Sequence, residues 1–410
     1  MKYLILLNRK FPYKYGEAFL ENEIDEISEY FDQVLLFPSN MTSKDEVTRE
    51  IKSKNVEVYA VAKHSLKSRN IAYCIGGLFA EKDKEAKTIK NKLYAGYFEF
   101  AAETQADAIW KVLKKKNFSE SDEIIIYSYW LFVSAKVALL IKKHIKNEIS
   151  EKIKVKCVSR AHAFDVYEDR RYLPCRKELF AELDRVFPCS SYGTEYLKER
   201  HPDSSDKIRT SYLGTYDKGV EDRRREKVIH IVSCSRLDPP KRMDLMIDGL
   251  KKLKDDGIEY SWTHFGGGEG FEHLEDRAHS ELQFMEVTLA GRISNANVYE
   301  YYRTNHYDLF LNTSEMEGLP VSIMEASSFG IPIVATDVGG TGEIVANDVS
   351  GKILSKTPTP DEIASAIHSI AVMDDPDYIC MRENARHIWE NKFNAKENYK
   401  EFAMELNALL

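Results

Sequence analysis

The sequence has few cysteines and none of the patterns that hold a metal or form a disulfide framework. Six cysteines are scattered over 410 residues, without a C-x-x-C pair or a His-rich neighbour. This spacing argues against a zinc site and against disulfide stapling, and it fits a reducing cytoplasm.

A basic excess and a long apolar run are also missing. The formal net charge of −8 argues against a general nucleic-acid coat. The first apolar run, Tyr3–Leu7, is too short for a signal peptide. No run approaches the roughly 18 apolar residues of a membrane span. We therefore expect a cytoplasmic protein, which can still contact the inner face of the plasma membrane.

The composition that is present belongs to an ordinary globular chain, with 43% hydrophobic and 30% charged residues. Short apolar runs alternate with amphipathic stretches, which predicts strand–helix–strand units and parallel sheets. The strands predicted in the first half are Tyr3–Leu7, Val34–Phe37, Glu123–Tyr127, Ile153–Val158, Arg185–Pro188 and Ile208–Leu213. Those predicted in the second half are Val228–Ser233, Tyr260–Phe265, Glu286–Ala290, Asp308–Leu311 and Ile331–Ala335.

The densely charged stretch 217–227 separates these two series and is predicted to be a linker. We therefore predict an α/β protein with two Rossmann-like, doubly wound domains, residues 1–220 and 221–390, whose ligand-binding edges face each other across a cleft. A last helical stretch is expected from about Asp377 to Leu409. Residues 391–410 of it are predicted to pack back on the first domain.

The segment Asn312–Ala326 follows a predicted buried strand and contains two glutamates. Pro320 stands at the predicted first position of a helix, so the amides after Gly318 form a helix start suited to phosphate. Glu317 lies in the turn and Glu325 about one and a half turns into the helix. Carboxylates there can accept hydrogen bonds from hydroxyl groups. A solvated acidic turn with one surface glutamate explains the spacing equally well.

Two cations follow another predicted strand. Arg236 stands just past the strand end, and Lys241 follows a Pro239-Pro240 turn. Together they would neutralise a diphosphate, with arginine acting bidentately and lysine as a point charge. An exposed loop with ordinary surface bases is the alternative.

Three further positions are candidates on weaker signals. The glycines of Phe265–Gly270 lack the last glycine of a dinucleotide fingerprint, so they are weak evidence for NAD, but Gly266 permits close backbone approach to a ligand. Gly16 lies between the first strand and the first helix, where its backbone can meet a ligand. His162 follows a strand end, although a lone histidine is more often structural or exposed.

Taken in order, these motifs resemble those of family 4 of the retaining glycosyltransferases, which have the GT-B fold. The likeness is greatest to bacterial enzymes of exopolysaccharide, capsule or lipopolysaccharide assembly and covers nearly the whole chain. The segments that carry it are EGLPVSIMEA with its E-x7-E spacing, FGIPIVATDVGGTGEIV, SRLDPPK, LAGRI, GEAFLENEI, YSYW and SRAHAFDVY.

The resemblance implies a UDP- or GDP-sugar donor on the second domain and a saccharide or polyprenyl-diphosphate-linked acceptor on the first. Arg236 and Lys241 would hold the diphosphate, and Glu325 the ribose hydroxyls. The backbone at Arg292 and Ile293 would contact the base. The remaining implied donor contacts are Glu317, Gly318, Leu319 and Pro320 around the sugar, Val321 and Ser322 at the phosphate, His162 near the transferred sugar, and Gly16 in the first loop.

Two departures from the family pattern stand out. The usual double glycine of the first loop is reduced to Tyr15-Gly16-Glu17, and Arg242 replaces a frequent glycine after the lysine. Both leave open how those loops contact their ligands.

The resemblance also implies the chemistry. Retention is expected by same-face attack, with the departing diphosphate taking the acceptor proton. Arg236, Lys241 and the helix start would stabilise the leaving group without a metal or other cofactor. Asp375-Pro-Asp377 matches the letters of an Asp-x-Asp metal motif, but it is predicted to be a turn in a polar loop. A catalytically silent sugar-nucleotide-binding protein and, less well supported, an NAD-dependent oxidoreductase are the alternatives.

One basic region stands out in this acidic chain. Residues 63–116 contain twelve lysines and arginines against six aspartates and glutamates, with apolar residues interspersed. Such a surface can dock on anionic lipid headgroups, which would suit a lipid-linked acceptor. A solvated pair of charged helices is an equally good interpretation.

Overall fold

The structure is a computed structural model that describes residues 1–14, 17–42, 44–61, 75, 83, 85–220 and 225–410. They form two compact units, one of Met1–Tyr212 with Lys396–Leu410 and one of Leu213–Ala395. Part of the charged stretch predicted as a linker is anchored within the second unit. There the Asp217 carboxylate lies 2.6 Å from the Arg386 guanidinium, and Arg225 donates to the carbonyl of Ile370.

The first unit is built on six parallel strands in the order β3-β2-β1-β4-β5-β6. The strands are β1 Lys2–Asn8, β2 Gln33–Pro38, β3 Val56–Val58, β4 Glu123–Ser128, β5 Lys154–Ala161 and β6 Arg185–Pro188. Its α-helices are Ala18–Ser28, Ile89–Leu113, Val133–Glu148, Ala163–Val166, Arg176–Glu182, Ser191–Arg200 and Ala395–Ala408, with 3₁₀ turns at Glu168–Arg170 and Pro202–Lys207. The central strands are buried nearly without interruption, as in a sheet that helices cover on both faces.

The second unit repeats this arrangement with the strand order β12-β11-β10-β7-β8-β9. Its strands are β7 Ile229–Cys234, β8 Tyr260–Phe265, β9 Glu286–Leu289, β10 Leu309–Asn312, β11 Ile333–Thr336 and β12 Gly351–Leu354. Its helices are Met243–Lys251, Phe271–Glu281, Asn295–Thr304, Val321–Ser328, Thr341–Ile344, Pro360–Ala371 and Asp375–Lys392, with a 3₁₀ turn at Pro239–Lys241.

In each sheet the strand order reverses between the first and the fourth strand along the chain, which lie side by side. These pairs are β1 with β4 and β7 with β10. Loops that leave such neighbours at their carboxyl ends diverge and open a crevice where ligands bind in doubly wound folds. The prediction of two Rossmann-like parallel sheets is confirmed.

Several predicted elements differ from the structure. Ile208–Leu213 is not a strand, because it pairs with β6 only at a single bridge between Val186 and Ile208. The short strands β3 and β12 were not predicted, since three or four residues at a sheet edge carry little periodicity. The Asp375-Pro-Asp377 segment is the first turn of a helix and not a loop turn, and Asp374 caps it.

The last helix, Ala395–Ala408, packs on the sheet of the first unit. The ring of Phe402 lies 5.4 Å from that of Tyr127 and 5.1 Å from that of Phe187. The guanidinium of Arg160 lies 4.3 Å from the centre of the Phe402 ring and 3.0 Å from the Glu23 carboxylate, and that ion pair is fully buried. The chain terminus therefore shares the core of the first unit.

Candidate functional site

The predicted cation and acid of the second unit meet at the point where its strand order reverses. Lys241 follows β7 and Glu317 follows β10, and these strands are neighbours in the sheet. The Lys241 ammonium lies 2.6 Å from Oε1 of Glu317. The Asn312 side-chain amide lies 3.4 Å from the same oxygen. Both charges are partly buried, so the pair forms the floor of a polar site at the ligand-binding edge of the sheet.

Arg242, the departure from the family glycine, holds the two loops together. Its backbone has φ 50°, in the left-handed region that favours glycine. Its side chain offsets that cost by donating to the carbonyls of Thr313 and Ser314, at 2.7 and 2.9 Å. The Glu315 N–H donates to the carbonyl of Pro240 at 2.7 Å. The replacement therefore fixes the loop after β10 against the loop that carries the lysine.

The turn after Glu317 rests on two glycines that sequence reasoning did not single out. At Gly339, with φ 56°, a Cβ atom would lie 2.0 Å from the carbonyl oxygen of Glu317. The next N–H, that of Gly340, donates to the carbonyl of Gly318 at 2.7 Å. Only glycine permits this approach, so the GG pair of the family segment positions the Glu317 turn. The two glycines are visible in the sequence, but their contact with the turn at Glu317 and Gly318 is visible only in the structure.

The helix after this turn begins at Val321, and Pro320 is its N-cap and not its first residue, one position away from the prediction. The amides of Val321 and Ser322 lie in the first turn, where helix geometry provides no intrahelical acceptor. Leu319 and Pro320 are buried and fix the entry of the chain. The arrangement provides a positive helix end next to Lys241 and Glu317.

Glu325 is buried, with 7% of its surface exposed, so it is not the surface glutamate of the alternative interpretation. Its Oε1 accepts hydrogen bonds from the Asn295 amide at 2.6 Å and from the Tyr299 hydroxyl at 3.3 Å. Burial raises the pKa of Glu325 to about 7, and these hydrogen bonds oppose the shift. Neither Asn295 nor Tyr299 was predicted, because the bonds join helices about thirty residues apart.

The half-buried Cys234 thiol, at the end of β7, is affected by the charges of two of these groups. Its pKa is raised by burial and by the charge of Glu325, and lowered by that of Lys241. The charges of Glu325 and Lys241 therefore both act on the Cys234 thiol, in opposite directions.

Four other predicted donor residues lie in the loops after β7, β8 and β9. Arg236 is exposed, and its guanidinium pairs with Asp238 at 2.7 Å. Gly266, with φ 142°, passes so close to the Ser235 carbonyl that a Cβ atom would lie 1.7 Å from it. A glycine at position 266 is thus required for the contact between the loops after β7 and β8. A Cβ on Gly267 would lie 3.3 Å from the N atom of Arg292, which is exposed, and Ile293 is half-buried.

His162, in the first unit, is 8% exposed and precedes the short helix Ala163–Val166. Its ring lies 5.0 Å from that of Tyr129 and 4.8 Å from that of Trp130. Burial and the charge of Arg160 lower the pKa of His162 to about 3, so the ring is neutral. Its buried Nε2 has no hydrogen-bond partner in the described part of the chain. Gly16 lies outside the described residues.

Glu17, next to the altered first loop, is held by a cage of N–H groups at the ends of β1 and β4. Its carboxylate accepts hydrogen bonds at 2.6 to 3.1 Å. The donors are the main-chain N–H groups of Arg9, Lys10 and Phe11, the Asn8 side-chain amide and the Trp130 indole. Because a carboxylate offers about four lone-pair sites, this one is saturated. Glu17 therefore organises the first loop and orients Trp130.

One group of potential metal ligands appears among the described residues, and it contains none of the predicted site residues. Ligand atoms of Glu99, Cys175 and Glu178 lie within 4.8 Å of one another. The Lys136 ammonium lies 3.3 Å from Glu99 and 2.5 Å from Glu178. The Lys136 ammonium therefore pairs with both carboxylates, and the cluster is a partly buried ion-pair network. Separately, none of the described helices has the length and apolar character needed to span a membrane.

Comparison with known proteins relates the second unit to one family. Residues 219–388 match the family model described as glycosyl transferases group 1. The O-antigen biosynthesis glycosyltransferase WbnH of Escherichia coli is 32% identical over 155 residues, which make up 38% of this chain and 40% of that protein. The chain spans less than two thirds of the length of each of the first curated relatives it matches.

Solved structures match over nearly the whole chain. A glycosyltransferase from Rickettsia africae ESF-5 has a TM-score of 0.70 at 14% identity, over 100% of this chain and 98% of that one. HepE of Anabaena, solved with UDP and glucose, has a TM-score of 0.64 at 15% identity, over 99% of each chain. At such identities the likeness shows the fold alone. The GT-B fold predicted from the sequence is confirmed at the level of its two Rossmann-like units.

Proposed function

We propose that this chain, whose residues 219–388 belong to the glycosyl transferases group 1, is a retaining glycosyltransferase of bacterial surface polysaccharide synthesis. The donor is a UDP- or GDP-sugar, and the acceptor is a saccharide or a lipid-linked saccharide. The naming of WbnH as an O-antigen biosynthesis enzyme supports the class of product, and the UDP bound by HepE supports the class of donor.

The observation that carries the proposal is the contact between Lys241 and Glu317 beside a helix start. A diphosphate at this point would meet an ammonium group and the amides of Val321 and Ser322. Charge that develops on the departing nucleoside diphosphate would be stabilised by groups already in place. Arg236, exposed and paired with Asp238, would exchange that partner for the diphosphate on binding.

The transfer step follows from this arrangement. The bond between the anomeric carbon and the diphosphate oxygen breaks, and the acceptor oxygen forms its bond on the same face. The acceptor proton passes to the leaving diphosphate. Lys241 and the helix start take the role that a divalent ion has in other glycosyltransferases, so we propose a metal-independent reaction. His162, neutral and with an unpartnered Nε2, would hydrogen-bond the transferred sugar.

We further propose that the first unit reaches anionic lipid when the acceptor is membrane-linked. The basic region predicted from the sequence spans residues 63–116. Its first part, up to residue 84, lies outside the described residues except for Ile75 and Asp83, and its second part, 85–116, is described. The helix Ile89–Leu113 exposes Ile89, Tyr94 and Tyr97. Lys87, Lys90 and Lys92 are exposed beside them. Apolar groups flanked by lysines are suited to the headgroup region of a bilayer.

The decisive experiment is a screen of nucleotide sugars for release of free nucleoside diphosphate by the full chain. We expect release from one UDP- or GDP-sugar, and its loss in Lys241→Ala. Lys251→Ala, an exposed lysine that pairs with Glu281, is the matched control and should keep full activity. Full activity in the Lys241 variant would remove the assignment. Binding of UDP or GDP without turnover of any sugar nucleotide would indicate a silent binding protein, and stabilisation by NAD alone an oxidoreductase.

A further inference from the structure

We propose that Asn295 and Tyr299 are positioning residues that hold one oxygen of Glu325, so that its other oxygen receives both ribose hydroxyls of the donor nucleotide. This inference rests on the proposed function and deepens it. It assigns the helix Asn295–Thr304 to recognition of the sugar of the nucleoside, a task that its residue types did not suggest.

The geometry separates the two oxygens of the carboxylate. Both hydrogen bonds from the neighbouring helix end on Oε1, at 2.6 Å from the Asn295 amide and 3.3 Å from the Tyr299 hydroxyl. Among the described residues no donor contacts Oε2. Since each carboxylate oxygen has about two lone-pair sites, Oε1 is filled and Oε2 can accept two O–H donors. A vicinal diol presents two such donors at adjacent carbons.

The supporting helix is itself anchored. The ring of Tyr299 lies 6.0 Å from that of Phe329. The Lys218 ammonium lies 5.7 Å from the centre of the Tyr299 ring. Asn295, at the exposed first position of the helix, follows Ser294, whose hydroxyl caps the helix end. Tyr299 is thus held by packing and Asn295 by helix geometry. Glu325, from the helix Val321–Ser328, is oriented from outside its own element.

The same contacts set the charge of Glu325. Burial raises its pKa to about 7, and the two hydrogen bonds oppose that rise because they stabilise the carboxylate. Among the described residues, Cys234 and Tyr302 also interact with it electrostatically, and burial raises the pKa of both. Neither carries charge near neutral pH. Loss of Asn295 or Tyr299 would therefore raise the pKa of Glu325, so that it stays protonated up to a higher pH. The protonated carboxyl accepts fewer hydrogen bonds than the carboxylate.

The alternative is that Asn295 only occupies the place of a ribose hydroxyl until the nucleotide displaces it. The two cases predict opposite changes in nucleotide affinity when Asn295 is removed. A positioning Asn295 makes nucleotide binding weaker when it is removed, whereas a displaced Asn295 makes binding unchanged or tighter.

The test is calorimetric titration of the full chain with UDP and GDP and with their 2′-deoxy counterparts, from pH 6 to 9. For the wild type we expect affinity to rise with pH through about 7 and the ribonucleotide to be preferred. Asn295→Ala should weaken ribonucleotide binding about tenfold at pH 7, raise the midpoint by about one pH unit, and reduce the ribose preference. Tyr299→Phe should have a smaller effect, because its bond is longer. Glu325→Gln should abolish both the preference and this pH step.

Asn297→Ala and Tyr301→Phe are matched controls, since both lie exposed on the same helix, and both should behave as wild type. Carbon-13 NMR titration of Glu325 gives a readout without nucleotide, and its pKa should rise in Asn295→Ala. Wild-type affinity, ribose preference and Glu325 pKa in that variant would overturn the inference while leaving the proposed function intact. A wild type that binds neither nucleotide would overturn the proposed function itself.

Discussion

Lys241 and Glu317 are separated by 76 residues along the chain, yet the ammonium of one lies 2.6 Å from the carboxylate of the other. The contact exists because β7 and β10 are neighbours in the sheet and release their loops at the same edge. A cation already paired with a carboxylate must be shared with, or released to, an incoming diphosphate. In the proposed function, Glu317 would therefore compete with the diphosphate for Lys241 as well as border the sugar.

This competition predicts opposite effects of the two neutral variants. Lys241→Met should weaken UDP or GDP binding by about tenfold to a hundredfold, the value of a hydrogen bond to a charged group. Glu317→Gln should bind the nucleotide at least as tightly as wild type, because Lys241 loses its competitor, but its sugar-nucleotide turnover should fall. Calorimetry and diphosphate release measure the two properties. Weaker nucleotide binding in Glu317→Gln would contradict this account.

Glu325 predicts a cost in stability that depends on pH. Its pKa of about 7 in the folded protein exceeds the ordinary value of 4.5, so the folded state retains a proton that the unfolded state releases. Its contribution to stability therefore falls as the pH rises from about 4.5 to 7. Glu325→Gln should gain about 3 kcal/mol over wild type at pH 8, with little gain at pH 4.5. Urea unfolding at both pH values measures the difference, and an equal gain at both would count against a buried carboxyl.

His162 is predicted to act as a neutral group. With its pKa lowered to about 3, its ring should show no titration between pH 5 and 8 in NMR spectra, assigned by the loss of its signal in His162→Asn. His162→Ala should lower turnover by at least tenfold while the affinity for UDP or GDP stays unchanged, because we propose that the second unit binds the nucleotide. A titrating ring, or a loss confined to nucleotide affinity, would show that its role is different.

Glu17 is predicted to matter for the stability of the first unit. Glu17→Ala would leave several N–H groups without their acceptor, at a cost of about 2 kcal/mol. Thermal unfolding should show a lower Tm, and the indole N–H signal of Trp130 should shift because its acceptor is lost. Glu21→Ala, in the first turn of the helix that follows Glu17 but half-exposed, is the control and should change the Tm little. Equal Tm values for the two variants would exclude the structural role.

Lipid binding is predicted to depend on the lysines at the start of the helix Ile89–Leu113. The full chain should sediment with anionic liposomes at low salt and less at moderate salt, since exposed charges are screened. The variant with Lys87, Lys90 and Lys92 changed to Glu should lose this binding. A control with Lys251, Lys252 and Lys254 changed to Glu has the same net charge and should retain it. Absence of wild-type binding at both salt levels would end the membrane proposal.

Local pattern determined much of the fold. Runs such as Tyr3–Leu7 and Val34–Phe37 were predicted as strands and lie within β1 and β2, because a buried parallel strand needs little more than continuous apolar residues. Local pattern also produced a wrong strand prediction. Ile208–Leu213 has the composition of a strand, but it pairs with β6 at one bridge only.

The sequence by itself determined which residue types stand at the ends of which strands, and so the two parallel sheets and the acid–cation candidates of the second unit. Tertiary structure alone decided that Lys241 contacts Glu317, that Glu325 is buried beneath Asn295 and Tyr299, and that Glu17 fills a cage of amides. These relations join segments far apart in the chain, and burial and hydrogen bonding arise only when such segments meet. The pKa shift of a carboxylate such as Glu325 cannot be read from the sequence, because burial and the neighbouring side chains in the folded protein cause it.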